Sequence, residues 1–206
     1  MTALEVLAGG ASPILGRSLT DQERGNFDKY LSILIKWQKA HRLVGSTDPM
    51  WIVEHLFLDS LLFLRLLPSS VRTLADVGSG AGLPGLPLKI VRAELEVVLI
   101  ESRRRRATFL ATAIREMKLS GIRVLEGRLE NVAADLGKRL DAVVMRCAGD
   151  VESMIPAAAT ITTRDGIVIA SGPPAPRQLS LGEWVTVQGV TSGTTRRFAV
   201  YRPAGS

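Results

Sequence analysis

The chain has 206 residues, a formal net charge of +6 and an isoelectric point near 10.0, with 46% hydrophobic and 22% charged residues. That length allows one sizeable core, the composition excludes a disordered polyelectrolyte, and the positive balance suits a polyanionic partner. Cys147 is the only cysteine, so a disulfide framework and a thiolate metal centre are excluded, no metal is expected, and a reducing cytoplasm is the expected compartment.

Residues 1–17 contain Gly9, Gly10, Pro13 and Gly16 and read as a short helix and loop, or as partly disordered. Glu5 and the lack of a basic n-region argue against a signal peptide. Thr20-x-x-Glu23 has the spacing of a capping box, and Phe27, Tyr30, Leu31, Leu34 and Ile35 follow at helical intervals, so a helix runs from Thr20 to about His41. Asp48-Pro49 starts a second helix, which Pro68 stops after Leu67. The apolar run from Ile52 to Leu67 is broken by Glu54, His55, Asp59 and Arg65 and is too short to span a bilayer. His55 and Asp59 lie one helical turn apart, as a hydrogen-bonded structural pair or a catalytic dyad. Residues 1–70 are thus expected to form a helical cap, and residues 71–206 the main domain.

From Val71 strands and helices alternate. Strands are expected at 72–77, 96–101, 122–126, 141–146 and 166–171, with helices at 84–93, 103–119, 130–139 and 151–162. This rhythm predicts an α/β fold with a parallel sheet wound on both faces. Pro173-Pro-Ala-Pro176 cannot be helix interior, and Glu183–Val190 and Arg197–Arg202 then read as a final antiparallel pair around Thr191-Ser-Gly-Thr-Thr195. Five parallel strands plus such a pair is the pattern of a methyltransferase-type sheet.

The first strand runs into Gly78, Gly80, Gly82 and Gly85, a turn that brings the backbone close to a ligand ahead of a helix N-terminus. Glu101 ends the next strand, 101 − 78 = 23 residues past Gly78, near the spacing of about 20 at which an acid reaches a ribose. Asp76 would repel a pyrophosphate but can accept from an ammonium, and Pro84 and Pro87 remove backbone donors that phosphate would use. Together these favour S-adenosyl-L-methionine, which has a ribose and an amino acid but no phosphate. Its adenine edge is expected near Leu129 and Glu130, although Glu130 also suits the first turn of a helix.

The charge is uneven. Residues 1–70 hold seven basic and seven acidic side chains, so the whole excess lies in residues 71–206, and twenty of the 26 basic residues are arginine. Arginine favours planar contacts to phosphates and bases, although a genome-wide arginine bias accounts equally well for any single arginine. Arg146 ends an apolar strand that points at the presumed site. Cys147 beside it lacks the Pro-Cys element of a covalent nucleophile and reads as packing. Arg103, Arg104, Arg105 and Arg106 follow Glu101 at a helix start, where cations oppose the dipole, which favours a phosphate-facing role.

The stretch Asp76-Val-Gly-Ser-Gly-Ala-Gly-Leu-Pro-Gly-Leu-Pro-Leu-Lys-Ile90 resembles the bacterial small-subunit ribosomal RNA guanine-N7 methyltransferases, also called glucose-inhibited division protein B. His55-Leu-Phe-Leu-Asp-Ser60 is similar to the family's His-x-x-x-Asp-Ser segment, and Arg196-Arg-Phe-Ala-Val200 to its closing strand. The resemblance spans roughly residues 27 to 201. It implies a class I, Rossmann-like methyltransferase that carries a methyl group from S-adenosyl-L-methionine to N7 of a guanine in the 530 loop of 16S rRNA. Implied cofactor contacts are Gly78, Leu83, Glu101, Leu129, Glu130 and Arg146, with Arg146 also in the catalytic role, and the loop residues Asp76 and Gly80 join them on the reading given above. Arg42, Lys89, Arg103, Arg104, Arg105, Arg196 and Arg197 are the expected RNA contacts, on naked rRNA or on the small subunit or its precursor, and the protein is expected to be a monomer away from membranes. There are three departures: Arg42 stands for the family's asparagine, Cys147 for alanine, and Ala170-Ser171-Gly172 for Leu-Lys-Gly. They leave room for a ribosome-binding protein with an altered target. A nicotinamide-dependent oxidoreductase would need a Tyr-x-x-x-Lys pair or an acid/base histidine near the sheet. Tyr30, Tyr201, His41 and His55 all lie outside the alternating core.

Overall fold

The computed structural model describes residues 1–136, 139–146, 150–173 and 178–203. The expectations for Cys147, for Pro174-Ala-Pro176 and for the end of the 130–139 helix fall outside these residues.

The N-terminus is more regular than its glycines suggest. Helix α1 spans Ala3–Leu15 and opens on a second capping box, in which Thr2 Oγ1 accepts from Glu5 N–H and Glu5 Oε2 accepts from Thr2 N–H. Two orphan donors are satisfied there, and Leu7 and Ala11 are fully buried, which offsets the glycines. Helix α2 covers Asp21–His41 with the expected Thr20/Glu23 box. The expected single helix over 48–67 is instead a composite: α3 Pro49–Ile52, a π-helical turn Val53–Leu58, α4 Asp59–Leu61 and a 3-10 turn Leu62–Arg65. It is held on two sides, by α1 and by the following helix α5 (Gly85–Val91), and most of its apolar residues are buried. Ser60 Oγ also donates back to the Leu56 carbonyl, an intrusion that bends helical ladders.

The remaining elements are β1 Thr73–Val77, β2 Glu96–Glu101, α6 Arg104–Met117, β3 Ile122–Glu126, α7 Leu129–Val132 with a 3-10 turn Ala133–Leu136, β4 Leu140–Met145, α8 Val151–Thr160, β5 Thr162–Ser171, β6 Glu183–Gln188 and β7 Thr195–Tyr201. The sheet order is β3-β2-β1-β4-β5-β7-β6. The first five strands are parallel, and β7 runs antiparallel to both β5 and β6, as expected. Strand alternation divides the core. Leu74, Leu99, Val144 and Ile169 face α1, α2, α5 and α6, whereas Ala75, Ile100, Val143 and Val168 face α7 and α8. The chain winds outward from β1 to β3, then returns to lay β4 on the other side of β1. That reversal is a topological switch point, and it opens a crevice at the carboxyl ends of β1 and β4. The glycine loop and Arg146 emerge at this crevice.

Candidate active site

The loop after β1 requires its glycines. Gly78, Gly80 and Gly82 have φ values of +73°, +58° and +89°, in the left-handed region. Gly78 and Ser79 N–H donate to the Ile100 carbonyl at 2.9 and 3.1 Å, which ties the loop to β2. The Tyr30 hydroxyl, fully buried, donates to the Ala81 carbonyl and ties the loop to α2. Glu101 is 4% exposed and accepts from Gly80 N–H and Arg103 N–H, both at 2.8 Å.

Asp76 is fully buried; Oδ2 accepts from Gly85 N–H at 2.8 Å, while Oδ1 has no partner among the described residues. Burial raises its carboxyl to about 7, with the Glu101 charge adding to the rise and the Gly85 N–H and Arg146 opposing it. A buried carboxylate oxygen without a donor is costly, and a cation or N–H group brought against it would offset that cost. Tyr30 is pushed well above its ordinary value by burial and by the Asp76 charge.

Beside the loop lies a pocket of about 350 Å³ that brings together Gly78, Leu129 and Glu130, and adds Ile100, Ser102 and Met154. Leu129 is buried, whereas Glu130 is exposed in the first turn of α7. Leu83, 8% exposed, packs in the core on the other side of the sheet from Leu129, and it does not line this pocket; nor do Asp76, Gly80, Glu101 and Arg146.

Arg146 follows β4 with its side chain 13% exposed. Nη2 donates to the His55 carbonyl at 2.7 Å, Nη1 to the Leu56 carbonyl at 3.4 Å, and Nη2 lies 3.5 Å from Asp59 Oδ2. Both carbonyls belong to the π-helical turn, a distortion frequent at functional sites. Asp59 Oδ1 in turn accepts from Arg196 Nε at 2.6 Å. The expected His55–Asp59 pairing gives way to this arginine pair, and the His55 ring lies on Trp51 at 5.1 Å.

The expected RNA contacts separate. Arg103, Arg104 and Arg105 are exposed at the start of α6, beside the glycine loop. Arg42, exposed, ends α2 in the left-handed conformation, and Arg196 and Arg197 are exposed at the start of β7. Lys89 is a correction: it is 4% exposed, and its ammonium donates to the carbonyls of Ala93 and Leu95 at 2.5 and 2.6 Å. It satisfies carbonyls just past the end of α5, burial lowers its pKa, and it does not face solvent or RNA. The sequence does not mark Tyr30 as a loop support or Met154 as a pocket residue, since both look like ordinary core positions. Arg106, the last of the arginine run, brings Nη1 to 3.7 Å from where a Gly80 Cβ would stand.

Comparison with known proteins bears on this arrangement. Residues 23–173 match the family model GidB, described as rRNA small subunit methyltransferase G. The chain belongs to this family. Among its relatives, Ribosomal RNA small subunit methyltransferase G of Nitrosospira multiformis is 35% identical over 150 residues, covering 73% of this chain and 68% of the relative. The same-named protein of Xanthomonas campestris pv. campestris is 33% identical over 174 residues, covering 84% and 80%. In fold, the chain is similar to a precorrin-6y C5,15-methyltransferase from Geobacter metallireducens, with a TM-score of 0.51, 13% identity and coverage of 79% of this chain and 92% of that one. Methyltransferases generally use S-adenosylmethionine, and the residues present fit that group. The unpartnered Oδ1 of Asp76 suits an ammonium, Glu101 suits a diol, and Leu129 and Met154 suit a flat apolar ring. Among the described residues no helix is long and apolar enough to cross a membrane, and no cluster of His, Cys, Asp and Glu is arranged to hold a metal.

Proposed function

We propose that the protein transfers the methyl group of S-adenosyl-L-methionine to N7 of a guanine in the 530 loop of 16S rRNA, acting as a cytoplasmic monomer on the small ribosomal subunit or its precursor. The observation that carries the reading is the Asp76 carboxylate, buried under the glycine loop with one oxygen unpartnered. Family membership supplies the acceptor. In this reading residues 1–70 are a helical cap that contributes Tyr30, the His55 carbonyl and Asp59, and residues 71–206 bind the cofactor.

Bound there, the cofactor supplies an electrophilic methyl group on a sulfonium. The protein's work is to hold, orient and dry. Asp76 holds the ammonium, Glu101 the ribose, and Leu129 with Met154 the adenine. Guanine N7 carries a lone pair outside the ring π system, so no general base is needed, and alignment with exclusion of water is the main requirement. Arg146 fits this task. Of its five N–H groups, those on Nη1 and Nη2 that serve His55, Leu56 and Asp59 fix the guanidinium, and Nε–H with one Nη1–H remains for an incoming base. Donation to guanine O6 orients the base and leaves N7 free. The exposed arginines at the start of α6 and of β7 would take phosphates of the splayed-out strand.

The test is base-resolved mapping of N7-methylguanine in rRNA from cells with and without the protein. A protein-dependent mark in the 530 loop is expected. A mark on another base type, or no mark with retained subunit binding, would favour a ribosome-binding protein with an altered target, a reading that Ser171 at the family's lysine position invites.

A further inference from the structure

A second groove, of about 560 Å³, opens between α1, the π-helical turn and the β6–β7 hairpin. It shares no lining residue with the pocket beside the glycine loop. Its walls include Glu5, Gly9, Glu54, Asp59, Thr194 and Arg196. Asp59 joins the groove to the crevice, since Oδ1 meets Arg196 in the groove wall while Oδ2 faces Arg146. The groove is therefore one carboxylate away from the residue assigned to the acceptor base.

Its chemistry is mixed in a particular way. Three carboxylates against the Arg196 guanidinium and the Met1 ammonium leave a balance that disfavours a run of phosphates. The same carboxylates match the amino and ring N–H donors of an unpaired base, while Arg196 can take a single phosphate. The Arg196 side chain is 52% exposed, and a pair that open to water exchanges readily for another anion. Asp59 would then retain Arg146 as its partner.

The groove's floor is α1, and two adjacent glycines lie there for different reasons. A Cβ on Gly10 would stand 2.5 Å from Leu58 Cδ1, so close packing requires that glycine. A Cβ on Gly9 would meet nothing within 4 Å, so packing does not require this one. Pro13, inside the same helix, has no N–H to give the Gly9 carbonyl, which leaves an acceptor without its helical donor.

We propose that this groove is a second nucleotide site, which holds one unpaired nucleotide of the rRNA strand adjacent to the acceptor guanine. Arg196 takes its phosphate, and Glu54, Asp59 and the Gly9 carbonyl take its base donors. The assignment rests on the methyl-transfer reading above, and its test is built to fail separately from it.

The test is equilibrium binding of purified small ribosomal subunits, together with methyl-transfer kinetics and calorimetry with S-adenosyl-L-methionine. Gly9→Phe fills the groove from a helical position with open space around it. The expected result is subunit binding weakened at least tenfold, with thermal midpoint and cofactor affinity unchanged. Gly25→Phe is the control: Gly25 is also helical, exposed and free of neighbours, but lies on α2 away from the groove, and it should leave binding unchanged. Arg196→Ala should weaken binding and reduce its salt dependence by about one released counterion. Wild-type binding by Gly9→Phe, or equal losses in Gly9→Phe and Gly25→Phe, overturns the groove. If the wild-type protein binds subunits but transfers no methyl group, the catalytic reading fails while the Gly9→Phe binding result still decides the groove.

Discussion

Arg146 donates to the main-chain carbonyl of His55 at 2.7 Å, across 91 positions of sequence. The end of a central strand is thereby fixed to a π-helical turn, and the guanidinium is oriented by two main-chain carbonyls together with the Asp59 carboxylate.

Arg146→Lys should therefore behave as a loss. An ammonium carries its three donors on one nitrogen and lacks the planar fork whose separate nitrogens reach the His55 and Leu56 carbonyls, Asp59 and a base in fixed directions. The expected result is a fall in kcat of about 100-fold, the usual scale for removing one preorganised donor. Cofactor affinity should change by no more than a few-fold. Initial rates on small subunits check this, and a variant retaining more than a tenth of the wild-type rate would take Arg146 out of the reaction.

Asp76 sets a pH dependence whose sign can be worked out. Its folded-state pKa of about 7 lies above the ordinary aspartate value, so between about pH 4 and 7 the folded protein binds more protons than the unfolded chain. Stability should fall as pH rises through that window and level off above it. Affinity for S-adenosyl-L-methionine should move the other way, falling as pH drops below about 7, because the ammonium prefers the ionised carboxylate. Asp76→Asn should flatten both trends and weaken binding at pH 8. Calorimetry and urea melts across pH 5–8 measure the two, and a cofactor affinity independent of pH would contradict this role.

Gly85→Ala should be destabilising although alanine is the better helix former. The added Cβ would stand 2.7 Å from Asp76 Oδ2 and 2.5 Å from Leu99 Cδ2, both within a buried strand layer. An overpacking cost of about 1–3 kcal/mol is expected from urea denaturation, with weaker cofactor binding. A neutral or stabilising outcome would show that the loop relaxes freely.

Tyr30→Phe removes the donor to the Ala81 carbonyl and keeps the ring stacked on Phe57, 4.7 Å away. A stability loss of about 1 kcal/mol is expected, and up to about fivefold weaker cofactor binding, because the glycine loop loses its tie to α2. Unchanged calorimetric affinity would confine Tyr30 to the core.

The sequence made the sheet and its loop legible because both rest on local signals. Apolar strands end in glycines, and an acid recurs at the right distance. The capping box at Thr20 was visible, and the same signal at Thr2 was masked by the glycines around it. What stayed hidden depended on distant partners. A lysine within Leu86-Pro-Leu-Lys-Ile-Val91 reads as basic surface, yet Lys89 turns inward because uncapped carbonyls lie at the end of its own helix. The His55–Asp59 spacing suggested a pair on one helical face. The π-helical turn and two arginines from residues 146 and 196 redirected it, and no local pattern announces either.

The Tyr30 hydroxyl reaches the glycine loop from 51 positions upstream, outside the stretch that makes the motif recognisable. Residues 73–91 moved onto another parallel sheet would keep every glycine and lose the strut that holds their turn. A transplanted motif would thus look complete on paper and be slack in the hand, and engineering this cofactor site elsewhere means carrying a helix along with it.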